Sequence, residues 1–113
     1  MKCLFLSDDL LFTQQVSNAI ASSGFANKTV ATVKHAQVAI SEGHKPNAIV
    51  VDLNLPGLVF ADAVELANQA SACCVGVVSH VHQGKIERAK EAGFEYILTR
   101  GQIADRLGQI IKD

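Results

Sequence analysis

The stretch NAIVVDLNLPG, Asn47 to Gly57, ends an apolar and largely β-branched run on a carboxylate, Asp52, and then turns through Leu-Pro-Gly. A plain reading makes Asp52 a turn cap. A sharper one makes it a reactive group held over a crevice, because other polar residues end other apolar runs. Ser7, Asp8 and Asp9 follow KCLFL, Ser79 follows CCVGVV, and Thr99 and Arg100 follow EYIL. Chance puts polar residues where strands stop, but it less readily supplies carboxylates, hydroxyls and a cation together. Two or three carboxylates with a backbone carbonyl suit Mg²⁺, a hard ion that takes oxygen ligands and keeps several waters. A carboxylate is also a nucleophile toward phosphorus and gives an aspartyl phosphate. The metal would offset charge on the transferring group, while a hydroxyl and a cation bind its other oxygens.

These residues meet only if the elements carrying them end at one edge. KCLFL reads as a strand, and Phe12, Val16, Ala19 and Ile20 then recur at helical spacing before Gly24. NKTVATV is a second, more polar strand, and AQVAISEG a short helix followed by the connection His44-Lys45-Pro46. AIVV is the third strand, and Phe60 to Gln69 carries the next helical stripe through Phe60, Val64 and Ala67. CCVGVV is the fourth strand, Gly84 to Ala92 a helix, and EYIL the fifth strand. Ile103, Leu107, Ile110 and Ile111 mark a last amphipathic helix. Continuous apolar strands mean burial on both faces, so the pattern predicts an α/β fold with a five-stranded parallel, doubly wound sheet and about five helices on both faces. In such a sheet the ligand site lies beyond the carboxyl ends of the strands, where strand order reverses.

Composition narrows the function classes. At 113 residues, with 49% apolar and 19% charged side chains, the chain is expected to form one globular domain. A formal charge of −1 gives no electrostatic argument for nucleic acid or for an anionic membrane surface. No run approaches the ~18 apolar residues of a membrane span, and MKCLFLSDD lacks a signal-peptide pattern, so a cytoplasmic protein is expected. Cys3, Cys73 and Cys74 have no C-x-x-C spacing and read as small buried hydrophobes; adjacent Cys73 and Cys74 would face opposite sides of the sheet. His80 and His82, with His35 and His44, lack a clustered third metal ligand and read as surface residues. Lys85, Arg88 and Lys90 read as a solvated helix face.

On these residues the chain resembles the receiver domains of bacterial two-component response regulators, most of all the stand-alone chemotaxis type. The likeness covers essentially all 113 residues as a single receiver domain, with no output domain expected. IVVDLNLPG matches the family's apolar run, Asp, and Met/Leu-Pro-Gly, and AGFEYILTRG resembles the stretch leading into its Lys-Pro. The resemblance implies a flavodoxin-like sheet of order 2-1-3-4-5. It makes Asp52 the phosphoacceptor, Ser79 the hydroxyl ending the fourth strand, and Arg100 the counterpart of the family lysine. It makes Asp8, Asp52 and the Asn54 backbone carbonyl the ligands of Mg²⁺. It also implies a sensor histidine kinase or phosphotransfer protein as donor. A downstream protein partner would bind the face formed by the fourth helix, fifth strand and fifth helix. The chain is then a signalling module, not an enzyme, with no direct contact to nucleic acid or membrane.

The departures are as specific as the matches. Arg100-Gly101 stands where the family has Lys-Pro, and Arg is longer and planar, so the exchange is not conservative. Arg100 either pairs with Asp52 or is solvated. The family's acidic pair falls on Ser7 and Asp8, which leaves Asp9 to head the first helix, where its charge suits the helix dipole. The family's switch aromatic falls on Ile97; Tyr96, one residue earlier, lies on the opposite face. Phe60 stands where the family commonly has a loop glycine. These departures motivate an alternative, a degenerate receiver acting as a phosphorylation-independent interaction module, with a homodimer as one form. A flavin- or nucleotide-binding enzyme on the same topology is disfavoured, because SDDLLFT has two acids and no glycine to cradle a phosphate.

Overall fold

The computed structural model describes residues 1–79 and 82–111. Its elements alternate as β1 (Lys2–Leu6), α1 (Leu10–Ser22), β2 (Ala26–Val30), α2 (Val33–Ser41), β3 (Ala48–Asp52), α3 (Phe60–Gln69), β4 (Cys73–Val78), α4 (Gln83–Ala92), β5 (Tyr96–Thr99) and α5 (Arg100–Ile110). The five strands form one parallel sheet of order β2-β1-β3-β4-β5. This is the expected doubly wound, flavodoxin-like α/β fold. Strand order reverses between β1 and β3, so the crevice the fold provides opens above their carboxyl ends.

Alternation along the strands sorts side chains into two cores. Cys3, Phe5, Ala48, Val50, Val75, Val77 and Leu98 point to the layer of α1 and α5, meeting Phe12, Val16, Ile20, Ile103 and Leu107. Leu4, Leu6, Ile49, Val51, Cys74 and Val78 point to the other layer, meeting Ala36, Ala39, Ala63, Leu66, Ala67 and Ala89 of α2, α3 and α4. The small residues on those three helices let them approach the sheet closely. Burying a side chain such as Ile20 or Leu107 contributes about 1.5–3 kcal/mol, enough for one stripe to fix each helix's rotation.

Two boundaries differ from the sequence pattern. NKTVATV predicts strand through Val33, but β2 stops at Val30. Thr32 instead caps α2, its Oγ1 accepting from the His35 N–H at 3.0 Å. The fifth strand runs to Thr99, and Arg100 opens α5 instead of ending the strand. Gln102 Oε1 accepts from the Thr99 N–H at 2.9 Å, which starts the helix there. Cys73 and Cys74 do face opposite layers. Burial pushes the thiols of Cys3, Cys73 and Cys74 up to about 12, so all three are inert at neutral pH. Among the described residues no helix is long and apolar enough to cross a membrane.

Candidate functional site

β3 ends on Asp52, which is only 2% exposed. The Asn54 N–H donates to its Oδ1 at 2.9 Å, and the Leu55 N–H donates to its backbone oxygen at 3.1 Å. Asp52 therefore does cap the turn into Leu-Pro-Gly, and Gly57 completes that turn with a φ of +76°. The second carboxylate oxygen has a different partner. The buried Ser7 hydroxyl donates to Oδ2 at 2.8 Å across 45 residues of sequence. They meet because β1 and β3 are neighbours with Leu6 opposite Val51, so one step further along brings residue 7 beside residue 52.

Burial holds the Asp52 carboxyl above its ordinary range, because desolvation disfavours the charge. The Asn54 and Ser7 hydrogen bonds act the other way, while the negative charges of Asp9 and Asp8 push it further up. Both acids are exposed at the head of α1. Asp9 is the N-cap, as its position implied: its Oδ1 accepts from the Phe12 N–H at 3.0 Å. Asp8, exposed beside it, lies near enough for its charge to act on Asp52.

Ser79, just past β4, donates to the Asn54 side-chain oxygen at 3.2 Å. Asn54 thus ties the β3 turn to the β4 end, with its backbone N–H on Asp52 and its side chain on Ser79. The family resemblance pointed to the Asn54 carbonyl but gave no sign of this side-chain bridge. Arg100 goes elsewhere. Its guanidinium donates to the Gln15 side-chain oxygen on α1, and that bond replaces the pairing with Asp52 considered from sequence. Asp8, Asp52, Asn54 and Ser79 are gathered at one edge of the sheet, and Arg100 is turned across its flank.

The donor set is all oxygen, matching a hard divalent ion in kind. The negative charges of Asp9 and Asp8 add to burial in raising the Asp52 carboxyl, and a cation there would offset them. The set is sparse: no group of three His, Cys, Asp or Glu is arranged to hold a metal among the described residues. Waters would complete the coordination.

Several other residues gain contacts that their sequence reading did not supply. His82 caps α4, with Nδ1 accepting from the Lys85 N–H at 3.2 Å, while His80 lies outside the described residues. Phe60 is the first residue of α3, and its ring packs edge-on against Phe94, with centroids 5.8 Å apart. Tyr96 and Ile97 face opposite layers, as alternation requires. Gly76 has a role no motif announced. A Cβ there would sit 3.1 Å from both Leu53 methyls, so the glycine lets Leu53, next to Asp52, lie over β4.

No protein-family model and no curated protein sequence matches the chain. Solved structures do. A response-regulator signal receiver domain from Bermanella marisrubri superposes with a TM-score of 0.80 at 17% identity, covering 98% of each chain. A CheY-like receiver domain from Methanospirillum hungatei JF-1 gives 0.77 at 13% identity, over 97% of this chain and 92% of that one. The receiver domain of a sensor histidine kinase from Pseudomonas aeruginosa PAO1, described with magnesium ion coordinated in its active site cleft, gives 0.76 at 21% identity, over 97% and 95%. The chain has the fold of response-regulator receiver domains.

Proposed function

We propose that the chain is a two-component receiver module that accepts a phosphoryl group on Asp52. The observation that carries this reading is a buried carboxylate at the strand-order switch point, linked through Asn54 to the Ser79 hydroxyl. The donor is a sensor histidine kinase or phosphotransfer protein, a partner class consistent with the histidine-kinase receiver among its structural relatives. Mg²⁺, held by Asp8, Asp52 and the Asn54 carbonyl, would supply positive charge against the oxygens of the transferring group. Burial makes the Asp52 carboxylate a stronger base and so a better nucleophile. Ser7 orients the carboxylate through Oδ2. Ser79 then exchanges Asn54 for the new phosphoryl oxygens, and the face of α4, β5 and α5 changes its affinity for a downstream protein. The chain is a signalling component with no substrate of its own.

Two contacts favour a second reading, a degenerate receiver that binds partners without phosphorylation. Ser7 occupies Oδ2 with a neutral hydroxyl, and Arg100 is committed to Gln15. Intact-mass measurement with Mg²⁺ and acetyl phosphate separates the readings. Addition of one phosphoryl group, absent in Asp52→Asn, is expected for the receiver. No addition in the wild type, with addition restored in Arg100→Lys, would assign the loss to that one residue and establish the second reading.

A further inference from the structure

Beside the carboxyl edge lies a groove of about 750 Å³ between the β3–α3 connection and α4, a volume within the range of small-molecule sites. We propose that it binds a small organic anion with an apolar body, at a place that adjoins the Asp52 site through Leu53 and Asn54. One wall is apolar and comes from Leu55, Leu58, Val59 and Phe60. Phe60 is braced from behind by Phe94, so this wall is built and does not depend on the ligand to form. Val59 is 54% exposed although large and apolar, leaving an unmet hydrophobic surface at the rim.

The opposite wall is cationic. Lys85, Arg88 and Ala92 follow one another at i, i+3 and i+7 on α4, which places them on one helical stripe facing the connection. Glu91 is the one acid among the lining residues, against these two cations. The sequence reading of Lys85 and Arg88 as a solvated face is thereby refined: the stripe borders a concave surface. It is also distinct from the side of α4 that adjoins β5. An apolar wall opposite two cations fits an aromatic or aliphatic body ending in a carboxylate, sulfonate or phosphate. The body would lie along Leu58 and Val59, with the anion between Lys85 and Arg88. The volume suits such a molecule better than a docked helix, which would need a longer apolar trough.

A matched pair of probes tests this. 8-Anilinonaphthalene-1-sulfonate has an apolar aromatic body and one sulfonate; N-phenyl-1-naphthylamine is the same body without the charge. In an amide NMR titration of the full chain, the sulfonate is expected to bind saturably at one site, shifting Leu55, Val59, Lys85 and Arg88. The double variant Lys85→Gln/Arg88→Gln should weaken the sulfonate about tenfold, as expected for loss of charge-assisted hydrogen bonds, and leave the neutral probe unchanged. The conservative Lys85→Arg should retain binding. Equal binding of both probes in wild type and double variant would show an apolar surface without anion recognition and overturn the proposal. Shifts centred away from the groove would overturn it equally.

Discussion

The two flanks of Asp52 are connected to it in opposite ways. On the β1 side, Ser7 bonds the carboxylate and the charges of Asp8 and Asp9 act on it. On the side of α4 and α5 stand Lys85, Arg88 and Arg100, yet Arg100 bonds Gln15 and the other two border the groove beside the β3–α3 connection. The difference follows from where the side chains start. Ser7 leaves a strand laddered to β3, so its short side chain has one place to go. The cations leave helices on long flexible stems, and their direction is set by whatever partner they meet. A carboxylate with acids near it and cations turned away is suited to receive positive charge from outside.

The largest effect should come from Asp52 itself. On the proposed function Asp52→Asn should abolish phosphoryl addition, and it should also stabilise the fold, since an amide keeps contact with both Ser7 and Asn54 without a buried charge. The sign can be followed with pH. The folded carboxyl titrates above the ordinary value of 3.8, so the unfolded chain ionises first as pH rises. The Asp52 contribution to stability falls from about pH 3.8 upward until the folded carboxyl has also ionised. The advantage of Asp52→Asn should therefore grow across that window and then level off in urea titrations. A constant difference at every pH would show that Asp52 folds with an unshifted carboxyl.

Next is Ser7→Ala, which strips Oδ2 of its donor inside a buried site. A loss of about 1–3 kcal/mol is expected by chemical denaturation, and much less would mean that water replaces the hydroxyl. Gly76→Ala tests the opposite flank. Its methyl would press on Leu53 at 3.1 Å, so a destabilisation of about 1 kcal/mol is expected, with NMR shifts at Leu53 and Asn54. Unmoved shifts there would show that the turn after β3 is not braced by Leu53. The smallest effect belongs to Arg100→Ala. Stability should change by no more than about 0.5 kcal/mol, and the Asp52 carboxyl, followed by ¹³C NMR, should titrate as in wild type. An upward move on losing the cation would place Arg100 in contact with Asp52 and erase the contrast between the flanks.

Much of this arrangement is readable from the chain. Apolar runs mark β1, β3, β4 and β5 and helical stripes mark the helices, because burial follows periods that local sequence records directly, while the polar β2 is an exposed edge strand. Asp52 at the end of β3 and Asp9 at the head of α1 follow from the same local logic. The cap at Thr32 was hidden because NKTVATV continues a β-like composition through Val33, and one side-chain hydrogen bond outweighs that propensity. The capping pair Thr99 and Gln102 explains why Arg100 belongs to a helix, a signal in TRGQ that the strand-end reading of Arg100 passed over.

Sequence by itself thus determined the alternating elements, the doubly wound class and the carboxylate at the end of the third strand, since each depends on residue type and spacing over a few positions. The strand order came from the family resemblance. Tertiary structure alone decided what touches that carboxylate. Ser7 reaches it across 45 residues through strand pairing, and Arg100 is drawn from it to Gln15, 85 residues away. Those choices are made by distances between elements that pack late in the chain's logic, and no local pattern encodes them.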